Sequence, residues 1–166
     1  MGFQSIQKGE TARPHQIVEY YPQAAENITR GTVCVVDDGN VTIATTALTA
    51  AAVANRVCVA VEDVDNSGGS AGDTNIGVVF APAIVAVQTK TALNPGDFVK
   101  VVTAGTVSEL VDTDDLDIKV GAYLGKEGAV FARAAGTPFR ETLSDGIVPD
   151  QDAAIDDTVW IQLIDK

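Results

Sequence analysis

The chain has 166 residues, of which 46% are apolar but only 5% aromatic, and its 23 acidic and 11 basic residues give a net charge of −12. This length suffices for one domain with its own core, without disulfides or metals. The charge disfavours direct nucleic-acid binding, because phosphates would be repelled. The chain has no run of about 20 apolar residues, so no membrane-spanning helix is predicted.

Residues 1–25 differ from the rest of the chain. They contain Pro14, Pro22, the single histidine and two of the three tyrosines, and they show no clear periodicity. They also lack the basic-then-apolar order of a signal peptide, so we expect no export signal. Proline-interrupted ends that carry some apolar residues commonly become ordered against another molecule. We predict an extended N-terminal arm over residues 1–25, with a short edge strand in QIVEYY, followed by a β-domain over residues 26–166.

Short strands separated by turn signals begin at Thr32. TVCVV and VTIAT are predicted to form a hairpin through Asp38-Gly39, a pair that adopts the positive φ angles of a tight turn. Cys34 and Cys58 both lie in valine-rich runs, which favours small apolar core residues. A disulfide between adjacent strands is the alternative, and the sequence does not decide it. ATTALTAAAVAN fits either a short helix or an alanine-rich loop.

The second half of the chain continues this pattern. Pro82 interrupts the apolar run IGVVFAPAIVAVQT, which indicates a bulge, a break or an edge. After a turn at Pro95-Gly96, FVKVV and TVSEL are predicted to form a hairpin, IKVGAYLG and AVFARA another, and TVWIQLID a last strand. About eight to ten short strands indicate an all-β fold, a small β-barrel or sandwich with an extended N-terminal arm.

Few residues indicate catalysis, metal binding or phosphate binding. His15 has no partner at the spacing of a catalytic triad, and NSGGSAGD leads into a strand rather than a helix, unlike a phosphate-binding loop. The acidic loop DTDDLD offers weak metal-ligand candidates in Asp112, Asp114 and Asp117, although the glycine and terminal glutamate of an EF-hand are missing. The sequence therefore predicts a protein that is not an enzyme and holds no cofactor.

From about Asn27 onward, the order of these parts resembles the capsid cement, or head decoration, proteins of tailed viruses. The resemblance rests on RGTVCVVDDGNVTIA, NIGVVFAPAIVAVQTKTALNPGDFVKVV, KVGAYLGKEG and DTVWIQLID. These segments are turn and strand signals, without reactive residues. The longer arm, the acidic loop and AAGTPFRETLSDGIVPDQD depart from the family pattern.

The resemblance implies a β-barrel protein on the outer capsid surface of a virion, cementing neighbouring capsomers. Its partners would be the major capsid protein and other copies of itself, as a homotrimer, with no nucleic acid or membrane. The alternative is a receptor-binding, turret or tail-associated module. The aspartate-rich composition also resembles proteins of halophilic archaea, and the negative charge would suit concentrated salt. The residues predicted to grip the capsid are Phe3, Ile6, Arg13, Ile17, Tyr20 and Tyr21.

Overall fold

The computed structural model describes residues 8–9, 11, 17–45, 56–111, 114, 118–126 and 152–164. Within these residues the chain forms twelve strands: β1 (Glu19–Pro22), β2 (Asn27–Ile28), β3 (Val33–Asp37), β4 (Asn40–Ile43), β5 (Val57–Ala60), β6 (Val64–Asp65), β7 (Asn75–Phe80), β8 (Ile84–Gln88), β9 (Phe98–Val102), β10 (Thr106–Glu109), β11 (Lys119–Lys126) and β12 (Thr158–Leu163). The predicted all-β fold is confirmed. The number of strands exceeds the predicted range because β2 and β6 are only two residues long, too short to show a sequence period.

The strands form two five-stranded antiparallel sheets and a small ribbon. Sheet I has the order β1-β7-β5-β3-β4, sheet II has the order β10-β9-β11-β12-β8, and β2 pairs with β6. Single bridges, Gln23↔Val41 in sheet I and Thr89↔Val107 in sheet II, bring together the edge strands of each sheet. Because no continuous ladder joins those edges, neither sheet closes into a barrel within the described residues. The structure is therefore consistent with the sandwich alternative.

The main core lies between the two sheets. Its members are mostly valine and come from alternate positions of the facing strands. Its members include Val33, Val35, Val59 and Val79 from sheet I and Val85, Val87, Val99, Val101, Val107, Val120, Tyr123, Val159, Ile161 and Leu163 from sheet II. The predicted alternation in FVKVV is confirmed, since Val99 is buried whereas Phe98 is exposed. In TVWIQL, Ile161 is buried and Gln162 is exposed, but Trp160, on the same face as Gln162, is also buried.

A second core covers the opposite face of sheet I. Ile28 of the ribbon packs there with Cys34, Cys58, Ile76 and Val78. Sheet I is therefore buried on both faces, which explains why VCVV and VCVA lack the polar alternation of a half-exposed strand.

Cys34 and Cys58 lie opposite each other in the β3–β5 pairing as free, fully buried thiols. Burial raises the pKa of Cys58 to about 12. Burial, together with the neighbouring Cys58 and Glu26, raises the pKa of Cys34 well above its ordinary value. Both thiols are therefore held protonated, as the prediction of apolar core residues requires.

Several predicted turns are confirmed. Asp38 and Gly39 connect β3 to β4 with φ angles of 46° and 79°. β9 and β10 pair as a hairpin. Pro82 falls between β7 and β8, and at this break the chain passes from sheet I to sheet II.

Other predicted features differ from the observed strand pairing or lie outside the described residues. β11 pairs with β9 and β12, whereas AVFARA, its predicted hairpin partner, lies outside the described residues, as do residues 46–55. The boundary at residue 25 stays a prediction, but sheet I already includes β1, which precedes that boundary. No helix in the described part of the chain is long and apolar enough to cross a membrane.

Candidate interaction surface

The β1 edge surface, defined here as Ile17, Val18 and Tyr20 together with the outer edge of β1, is the first candidate site. The side chains of Ile17 and Tyr20 are 78% and 65% exposed. Gln23 N donates to Thr74 O, and the register places Tyr21 opposite Ile76. In this antiparallel pattern the N–H and C=O groups of Tyr20 point away from β7. No strand of the described residues pairs with the outer edge of β1 along Glu19–Pro22, so an extended segment of a partner could add there.

Tyr21 points to the opposite face of β1 and has a different environment. Its ring meets Phe80 edge to face at 5.4 Å, and the Arg56 guanidinium lies 3.9 Å above the Phe80 ring. Arg56 Nη1 also donates to the Tyr21 hydroxyl at 2.8 Å, and its Nη2 lies 3.7 Å from Glu19 Oε1. Tyr21 therefore fastens β1 to sheet I, leaving Ile17 and Tyr20 as the predicted contact residues that face solvent. Phe3, Ile6 and Arg13 lie outside the described residues.

A buried amide network connects the end of β1 to the ribbon. Gln23 Nε2 donates to Glu26 O at 2.7 Å and to Val64 O at 3.0 Å. Asn66 Nδ2 donates to Ser70 O at 2.9 Å and to Ala24 O at 3.1 Å. Sequence reasoning missed both residues, because a buried amide carries no periodic signal and its neighbours are distant in the chain.

The acidic loop is represented in the described residues by Asp114. Lys100 Nζ donates to Asp114 Oδ2 at 2.6 Å, and Val111 N donates to the same oxygen at 2.8 Å. Asp114 thus links the loop to β9. Asp112 and Asp117 lie outside the described residues, and no group of three or more potential metal-ligating side chains occurs in the part that the structure describes.

The Asp114→Asn substitution is expected to destabilise the protein at neutral pH. The hydrogen bond from Lys100, and then that from Val111, hold the pKa of Asp114 below its ordinary value. A pKa lower in the folded than in the unfolded state means that the ionised carboxylate stabilises the fold above the unfolded pKa, and that this contribution is lost as the pH falls through the folded pKa. Denaturation curves of both proteins should therefore differ at pH 7 and converge in strong acid. Asp37→Asn, at an exposed position of β3, is the control, and an equal effect of the two substitutions would contradict the assigned role.

A cleft of about 230 Å³ is the second candidate site. It lies where the β2–β3 connection, the end of β8, the turn between β9 and β10, and the N-terminal segment at Lys8 meet. We call it the threonine–lysine cleft, and its lining residues are Lys8, Thr29, Gly31, Thr32, Gln88, Lys90, Thr103, Ala104, Gly105 and Thr106. Among the described residues, the lining includes two lysines and no acidic residue, in a chain with an excess of acidic residues.

Comparisons with known proteins bear on the fold. No protein-family model and no curated protein sequence matches the chain. The structure is similar to that of the head fiber gp8.5 N base of bacteriophage phi29, with a TM-score of 0.51 and 16% sequence identity. The match covers 89% of this chain and 95% of that chain. At this identity the similarity shows a shared fold, and it extends over almost the whole of both chains.

Proposed function

We propose that this chain is a structural protein of a virion that attaches to the outer surface of the capsid. The observation that carries the proposal is the similarity in fold to a phage head fiber base over 89% of the chain. The independent resemblance of the sequence to head decoration proteins points to the same location. Fold similarity alone does not transfer function, so the proposal also depends on a surface suited to attachment.

The β1 edge surface has the features that such attachment requires. It offers backbone groups that no described strand pairs with to an extended segment of the major capsid protein, and the side chains of Ile17 and Tyr20 provide apolar contact area beside them. Main-chain hydrogen bonds supply affinity in this mode of binding, and flanking side chains supply specificity. The contact between Arg56 and Tyr21 orders β1 in the unbound protein, which lowers the entropic cost of binding.

Cementing of neighbouring capsomers is the finer part of the proposal. A protein that binds only the assembled shell stabilises that shell by mass action, and a homotrimer would add contacts at high effective concentration. Adaptation to concentrated salt is proposed on the charge of the chain alone. A second candidate, favoured by the fiber base to which the fold is similar, is a base that carries a projecting or receptor-binding module.

Attachment is expected to fail when the β1 edge surface is made polar. The double substitution Ile17→Ser and Tyr20→Ser removes exposed apolar area without touching either core, so the fold should be retained while affinity for capsids falls at least about tenfold. The measurement is cosedimentation of the purified full-length protein with capsids that lack it.

Ile155→Ser is the matched control, because Ile155 is 64% exposed in the turn before β12. Equal affinity of the double variant and wild type would locate attachment elsewhere. The same capsids distinguish the two candidates: a cement protein should raise the temperature at which the shell opens and occur in copy numbers comparable to the capsid protein. A fiber base should leave that temperature unchanged and be present in few copies.

A further inference from the structure

We infer that the threonine–lysine cleft binds a carboxylate. This inference concerns a surface other than the β1 edge and is independent of how the protein attaches to a capsid. It rests on the rigidity of the walls, on the charge of the lining and on a carboxylate that the structure already places against one of the two lysines.

The walls of the cleft are fixed by backbone hydrogen bonds. Gly31 N donates to Ala60 O at 2.8 Å, Lys90 N donates to Val107 O at 2.7 Å, and Gly105 N donates to Ala44 O at 2.9 Å. These bonds tie the lining segments to strands of both sheets or to residues beside them. The cleft is therefore preorganised, and a ligand need not order its walls on binding.

The cleft has more hydrogen-bond donors than its own intramolecular hydrogen bonds use. The hydroxyls of Thr29 and Thr32 lie 3.2 Å apart, so one of them donates a hydrogen bond to the other. The second hydroxyl proton can then be donated to a ligand. Thr106 donates to Thr103 O at 2.7 Å, whereas the Thr103 hydroxyl has no hydrogen-bond partner among the described residues. The exposed ammonium group of Lys8 adds three further donors. An acceptor-only group with two oxygens fits this set.

The charge of the lining favours the binding of one carboxylate group. Lys90 already forms an ion pair with Asp156, whose carboxylate is not part of the lining. That contact shows how a carboxylate meets an ammonium group of the cleft, and it neutralises one of the two positive charges. The net charge left for a ligand is about that of one lysine, which suits a single carboxylate group, such as one end of a dicarboxylate. Field focusing in a cleft makes this charge more effective than on an open surface.

Succinate is the probe for the test, added to the ¹⁵N-labelled full-length protein at low ionic strength. We expect saturable shifts of the amide signals of Ala104, Gly105 and Thr106, and at least about tenfold weaker binding in the Lys8→Gln variant. Lys119→Gln is the control, because that ammonium group lies over the Phe98 ring, 4.1 Å from its centroid, outside the cleft. Equal losses in the two variants, or no shift of these amides at about 10 mM succinate, would overturn the inference.

Asp156→Asn provides a second test in the opposite direction. Residue 156 has a φ of 68°, a conformation that asparagine tolerates, so the fold should be retained. The substitution releases Lys90 and is expected to tighten succinate binding several-fold, whereas unchanged or weaker binding would contradict the proposed role of the two lysines. A glutamate-rich peptide that shifts the same amides at lower concentration than succinate would identify a protein carboxylate as the source, and the reverse order would identify a free acid. Equal binding of phosphate and succinate would overturn the assignment to carboxylates.

Discussion

Replacement of Gly105 by alanine is expected to destabilise the protein by about 2 to 5 kcal/mol, the sum of left-handed backbone strain and overpacking. Gly105 ends the turn between β9 and β10 with a φ of +70°. A Cβ atom there would lie 2.6 Å from Val33 O and 2.3 Å from Thr32 Cγ2. The carbonyl belongs to buried β3, so the backbone cannot easily yield. This turn packs sheet II against sheet I, and the substitution should push the sheets apart.

Gly96→Ala is the matched control for this prediction. Gly96 has a φ of +97°, yet a Cβ atom there would meet nothing within 4 Å. Its cost should therefore be the backbone strain alone, about 1 to 2 kcal/mol. Urea denaturation of both variants, analysed with a common m-value, measures the difference. Equal destabilisation would show that the contact between Gly105 and β3 is unimportant.

The Ile161→Ala substitution is the second change with a large expected effect, about 2 to 5 kcal/mol of lost stability. Ile161 is fully buried in the main core, and its strand β12 lies between β11 and β8 in sheet II. Deleting its side chain removes apolar contacts and leaves a cavity that valine neighbours on fixed strands cannot fill.

Gln162→Ala tests the same strand at its exposed position and should change stability by no more than about 0.5 kcal/mol. Thermal and urea denaturation of the two variants compare the faces directly. A loss at residue 162 as large as that at residue 161 would mean that the Gln162 side chain, like Trp160 on the same face, is covered in the folded protein.

Local features of the fold could be predicted from the sequence. The turn at Asp38-Gly39 and the hairpin of β9 and β10 involve residues close in the chain, and their geometry is set by φ preferences and side-chain alternation. The exposed Ile17 and Tyr20 lie in the segment that the sequence predicts to be a partner-binding arm. Tyr21 of the same segment instead contacts Arg56 and Phe80 within the protein.

The candidate surfaces could be predicted only in part. The β1 edge surface follows from an apolar segment near the N-terminus, but its open edge depends on which strand β1 pairs with. The threonine–lysine cleft had no sequence signal, because Lys8, Thr29, Lys90 and Thr103 come from four separate segments. Asp114, which the sequence indicates as a weak metal-ligand candidate, forms an ion pair with Lys100 of β9.

The sequence by itself determined the all-β class, the turns and the alternation that buries Val99, Val101 and Ile161, since these follow from local conformation and from the two-residue period of a strand. Only the tertiary structure decided that β11 lies between β9 and β12, that sheet I is buried on both faces, and that Gln23 is buried. The physical reason is that pairing between distant strands depends on which apolar faces can be buried together. Many registers of valine-rich strands satisfy the local preferences equally well, and packing of the whole chain selects one of them.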